Sequence, residues 1–165
     1  MEFTISPSPR RRVFPQRLRP TLLTAHIMMS VGLLGDSAGF LAVAIRAATS
    51  PDRESMMPLV ATLKMFSLVF GIPLSIGAIV SGVLLGLGTR WGVFRYPWVT
   101  AKLLLIVSVM LVGGLVIGPT TDAMLLRGAE GTGRLIAAAT YDVLALGLAT
   151  VLSVFKPGRP FRPEG

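Results

Sequence analysis

The sequence predicts an all-α fold, a four-transmembrane-helix up-down bundle, and three observations carry that prediction. Apolar residues make up 52% of the 165 and charged residues only 15%, well below the quarter usual in soluble domains; mean hydropathy is +0.70. Four stretches reach the roughly 20 mostly apolar residues that a bilayer-crossing helix needs. Helix breakers and charge clusters separate them. The sixteen Lys and Arg against eight Asp and Glu give a net charge of +8. Because the positive charges flank apolar segments, they point to anionic lipid headgroups and not to nucleic acid. The chain has no Cys, which excludes disulfides, thiolate zinc sites, iron–sulfur clusters and thiol nucleophiles.

Residues 1–20 are rich in Pro and Arg and too polar to bury a core, so they form a basic cytoplasmic arm. A single membrane domain follows over 21–156. Its first helix, about 21–45, exceeds the roughly 7–15 residues of a secretory signal core and is therefore retained. Ser50-Pro51-Asp52-Arg53-Glu54 ends it. The second helix, about 63–87, carries Pro73, which should kink it and free backbone groups for a neighbour to satisfy. In the next loop Arg90, Trp91, Arg95 and Trp98 combine basic and aromatic side chains, the mixture a headgroup layer favours. The third helix, about 97–117, is expected to stop at Gly118-Pro119-Thr-Thr-Asp122; the fourth, about 135–155, stops at Lys156-Pro157-Gly158 and leaves a short cytoplasmic tail over 157–165.

Small residues mark where helices touch. Gly32, Gly35 and Gly39 lie on one face of the first helix, and Gly71, Ser75, Gly82 and Gly86 line the second, so these two faces should pack closely. Lys and Arg are denser in the arm, the second loop and the tail than in the first and third loops. That bias places both termini in the cytoplasm. An Arg-, Ala- and Gly-rich composition is of the kind GC-rich bacterial genes encode, which suggests a multi-pass protein of a bacterial inner membrane.

Four ionisable side chains fall within the apolar helices, where each costs roughly 2.5–3.5 kcal/mol and so marks a partner, a cavity or a task. At about 1.5 Å per residue, His26 and Lys102 both lie about 6 Å from the cytoplasmic edge, and Asp36 and Asp142 about 20 Å from it. The first pair suits a ligand: a neutral imidazole binds metals or haem iron, and a Lys pairs with a carboxylate. Met29, one turn after His26, adds a thioether that with the imidazole could take copper. Asp36 and Asp142 form a buried polar pair suited to an ion or proton pathway. A third reading is a non-enzymatic scaffold or complex subunit, with its small-residue faces docking a membrane-protein partner or a second copy. No motif of a soluble enzyme is present, neither a phosphate loop nor HExxH nor an assisted Ser nucleophile.

The stretch Pro97-Trp-Val-Thr-Ala-Lys102-Leu-Leu-Leu, after an arginine-rich aromatic loop and with a His early in the first helix, resembles a superfamily of small bacterial membrane proteins. The segment Leu85-Gly-Leu-Gly-Thr-Arg90-Trp-Gly-Val-Phe-Arg95 is most similar to an uncharacterised family of four-helix integral membrane proteins. CopD-type copper-resistance proteins and HemJ-type protoporphyrinogen oxidases are more distant. What the HemJ-type resemblance implies is haem b as cofactor, with His26 and Lys102 at the positions implicated in haem binding and activity; the CopD-type resemblance implies copper handling.

Overall fold

A computed structural model of the chain describes residues 18–88, 96–128 and 131–155, all of whose regular structure is helical. The expected basic arm, apart from its last three residues, lies outside the described residues, as do Arg90, Trp91, Arg95 and the tail over 157–165. Helix α1 runs Leu18–Ala48. A second continuous helix consists of α2 (Arg53–Met65), a π-helical turn (Phe66–Gly71) and α3 (Ile72–Leu87). A third repeats the plan with α4 (Pro97–Val112), a π-turn (Gly113–Ile117) and α5 (Gly118–Arg127). Helix α6 runs Thr132–Phe155. All four continuous helices, of 31, 35, 31 and 24 residues, are long and apolar enough to cross a membrane.

The second helix reaches back to Arg53 where the sequence suggested about 63, and the third runs on to Arg127 through the Gly118-Pro119 expected to stop it. Proline has no N–H to donate and its ring crowds the carbonyl four residues earlier. A π-turn ahead of each proline absorbs both problems by widening one turn. Ile72 N–H donates to Ser67 O and Gly118 N–H to Gly113 O, each five residues back, and Pro73 and Pro119 follow in the first turn of the next α segment. The extended start of α2 has its own cause. The Asp52 side chain caps it by accepting from Ser55 N–H at 2.7 Å, and those bonds hold its carboxyl below the usual carboxylate range.

Segments α3 and α4 each have 16 residues, about 24 Å of rise, so the two π-turns share one level. Beyond that level the chain changes character. Segments α2 and α5 carry Arg53, Glu54, Lys64, Asp122 and Arg127, whereas α3 and α4 together carry only Lys102. A 35-residue helix spans about 50 Å, well over the roughly 30 Å of hydrocarbon. Segments α2 and α5 therefore project past the hydrocarbon on the side away from the termini. There Lys64 Nζ meets Asp122 Oδ1 at 2.6 Å.

The larger core cluster sits at that projecting end, where Phe40 and Ala44 of α1 pack with Val60 and Leu63 of α2, Met124 of α5 and Leu135 of α6. The smaller, nearer the termini, is Leu33, Val109, Ala145 and Leu146. Water drives apolar burial at the projecting end. Between lipid-facing segments that force is absent, and close backbone approach takes over.

That approach is visible along α1 against the second helix, where glycine faces side chain in alternation. Measured from an ideal Cβ, Gly32 would lie 3.5 Å from Leu74, Gly39 3.2 Å from Phe66 and Gly82 3.0 Å from His26 Cε1; a Cβ on Gly77 would collide with the Met29 sulfur. Gly71, ending the π-turn, is 3.4 Å from Asp36 Oδ2 by the same measure. The paired residue numbers have a nearly constant sum, as a single antiparallel register requires. Gly86 is buried. Gly35, expected in this interface, is exposed with no atom within 4 Å of its Cβ position; it lies about 100° around the helix from Asp36 and so faces away. Helix α1 also packs against α6, and α6 against α4, while α3 and α4 touch only sparingly.

Gly39→Leu is expected to destabilise the bundle by about 1–3 kcal/mol through overpacking against Phe66, and Gly35→Leu to leave it unchanged. Thermal unfolding in detergent reads both; equal losses would contradict the register. A double-mutant cycle on Lys64 and Asp122, side chains 44% and 57% exposed, is expected to return less than about 1 kcal/mol of coupling.

Candidate functional site in the membrane-spanning bundle

His26 is half-buried on α1, with Nδ1 2.9 Å from Ser81 Oγ on α3. Ser81 is itself buried, and its hydroxyl lies 2.6 Å from Gly77 O and 3.3 Å from Ala78 O. A serine hydroxyl carries one proton, and here that proton goes to a backbone carbonyl. Ser81 Oγ therefore accepts from Nδ1–H, which fixes the neutral tautomer and leaves the lone pair on Nε2. Gly82 makes the arrangement sterically possible, since any side chain there would press on Cε1.

Lys102, on the second turn of α4, is near enough for its charge to act on the imidazole. Its Nζ stands 5.9 Å from the centre of the Trp98 ring, one turn earlier, within cation–π range. The fold thus brings His26 and Lys102 to one level across the gap between α3 and α4. Val109 alone is buried on α4, so this end of the bundle is loosely closed. Trp98 is partly buried beside Lys102.

Asp36 and Asp142 lie deeper. Asp142 is 6% exposed, and Oδ1 of each aspartate is buried with no hydrogen-bond partner. One core cluster joins Leu33 to Ala145 and Leu146, the other joins Phe40 and Ala44 to Leu135 and Ala138. Asp36 and Asp142 fall between these on antiparallel helices, and so share a level. Both carboxyls are thus held in apolar surroundings at one depth.

Met29 turns its sulfur onto Gly77, where the thioether fills space between helices. Among the described residues no group of three or more His, Asp or Glu side chains converges as a metal site. Two features escaped the sequence. Ser81 reads locally as one more small residue in an apolar helix, and nothing local reveals a partner 55 positions away. An open cleft of about 260 Å³ at the projecting end is lined by Thr120, Arg127 and Arg134, arginines that the sequence read only as topology charges.

Compared with known proteins, the chain matches no family model, no curated protein and no solved structure, and a functional reading starts from this geometry.

His26 is the one histidine of the chain, so its ring nitrogens report directly. In ¹⁵N NMR of the detergent-solubilised protein the neutral ring is expected as the Nδ1–H tautomer, with Ser81→Ala shifting the signals toward a tautomer mixture. A pure Nε2–H form in the parent would contradict the relay.

Proposed function

We propose that this chain is a multi-pass protein of a bacterial inner membrane, both termini cytoplasmic, that holds a flat apolar cofactor with acidic substituents, of haem or tetrapyrrole type. The cofactor would lie in the cytoplasmic half, between α3 and α4. The observation that carries this reading is the His26–Ser81 bond, which commits Nδ1 to α3 and keeps the Nε2 lone pair at the level of Lys102. A histidine whose second nitrogen is held by a neighbour is the arrangement that orients an imidazole as a metal ligand.

The residues present fit such a group. His26 Nε2 would hold the iron and Lys102 would stand as counter-charge to an acidic substituent. Bound haem supplies one-electron chemistry; the chain's part is to fix the imidazole, place a cation and exclude bulk water. The resemblance to HemJ-type proteins supports the same two residues. Arg90 and Arg95 with Trp91 and Trp98 anchor this end among anionic headgroups, and the excess of Lys and Arg there supports the orientation.

A second reading, a scaffold or complex subunit, rests on Gly35, which with Val31, Ala38 and Ala42 leaves a smooth exposed strip on α1. Its signature is co-purification of a membrane partner that Gly35→Leu abolishes.

Protein purified in mild detergent and supplied with haem is expected to show a Soret band. His26→Ala should abolish it, and Lys102→Met should weaken binding by about tenfold, or roughly 1.4 kcal/mol. A colourless parent after haem addition would overturn the cofactor reading.

A further inference from the structure

The cofactor reading leaves Asp36 and Asp142 without a task. Each has a carboxyl oxygen sealed from solvent with no donor, and Asp142 is more than nine-tenths buried. Insertion of such groups is costly enough that a purely structural role is the less economical explanation. Their surroundings are polar on one side only. The inner face of α1 carries His26, Ser30 and Ser37 at helical spacing, and α3 adds the buried Ser81 and Ser75 across the same interface. In the register fixed by the glycine contacts, Ser81 lies at the level of His26, Ser75 a little beyond Ser30, and Asp36 next to Ser37. Successive levels are about 3–8 Å apart along the axis, distances that a hydroxyl with one or two bridging waters can cover. Past Asp36, toward the projecting end, the bundle is closed by Phe40, Ala44, Val60, Leu63 and Leu135. A polar ladder thus runs from the end bearing the termini and stops at Asp36.

The occupant follows from the oxygens available. A hard metal cation needs about six oxygen ligands, whereas among the described residues no group of three or more His, Asp or Glu side chains converges here and Oδ1 of each carboxyl has no hydrogen-bond partner. A proton needs one lone pair. We propose that Asp36 and Asp142 are proton-binding groups within the membrane, with Asp36 loaded from the end of the bundle that bears the termini through the hydroxyls of the α1–α3 interface. The remaining ionisable groups on the packed helices are distant from them in level or committed elsewhere. His26 and Lys102 lie near the termini end, Tyr141 beside Asp142 shares a hydrogen bond with Ser108, Lys64 is paired with Asp122, and Arg46, Arg53, Glu54, Arg127 and Arg134 are exposed at the opposite end. A proton that enters this way is held and released on the same side, because the closed end offers no exit.

Infrared spectroscopy of the full-length, cofactor-free protein in detergent tests this. The parent is expected to show two protonated-carboxyl C=O bands that shift in D₂O; Asp36→Asn should remove one and Asp142→Asn the other. Ser37→Ala combined with Ser75→Ala should leave the bands in place and abolish the prompt shift of the Asp36 band in D₂O. Absence of any protonated-carboxyl band in the parent, or bands that survive both Asn substitutions, overturns the proposal. Bands that shift in D₂O equally fast without the two hydroxyls overturn the route. The parent spectrum decides the first point even if a variant fails to fold.

Discussion

The fold rests on glycine opposed to side chain along α1 and the second helix. Inside a bilayer the lipid tails are as apolar as any leucine, so burying an alkyl group against protein gains little over leaving it in lipid. What holds two helices is close contact, and contact requires that one backbone make room for the other's side chain. Gly82 makes room for His26, Gly77 for Met29, Gly71 for Asp36, and in the opposite sense Gly32 for Leu74 and Gly39 for Phe66. Three of these five contacts seat a polar or polarisable group, so the packing device and the functional groups are the same residues. Displacing the register by one turn would separate His26 from Ser81 and Asp36 from the π-turn together.

The bundle is bound by different forces at its two ends. Where α2 and α5 project beyond the hydrocarbon, water is available to drive burial, and the larger apolar core forms there with an ion pair at its edge. Nearer the termini the interior is smaller, α3 and α4 hardly meet, and polar groups line the space. The tight end holds the helices in register, which lets the other end pack more loosely without losing its geometry. The two π-turns mark the boundary. They let each proline sit within a continuous helix, and they coincide in level with Asp36 and Asp142.

The separation of the two polar levels matters for chemistry. His26 and Lys102 lie toward the end that bears the termini, while the two carboxyls lie deeper in the bundle. An imidazole whose Nδ1–H is committed to Ser81 and a carboxyl with no donor at all are opposite solutions to the same problem of a polar group in apolar surroundings. The first is satisfied by a neighbouring helix. The second is satisfied only by something that arrives.

Apolar length and the breakers between apolar runs were enough to determine four helices long enough to cross a membrane and their up-down order, because these depend on the bilayer's thickness and the rise of a helix and on nothing more distant. Depth matching of His26 with Lys102 and of Asp36 with Asp142 was legible for the same reason. The lengths of the second and third helices were not, since local rules read Gly118-Pro119 as a stop, and only the π-turn ahead of it supplies the bonding that carries the helix on. Nor could the sequence tell Gly35 from Gly39, which share a motif but sit on different sides of a contact line set by the neighbouring helix. The bond from His26 to Ser81, and the burial of an oxygen of both Asp36 and Asp142 without a donor, were decided by tertiary structure alone. Rotation of a helix about its axis is fixed by what it packs against, and that partner lies tens of residues away in the chain.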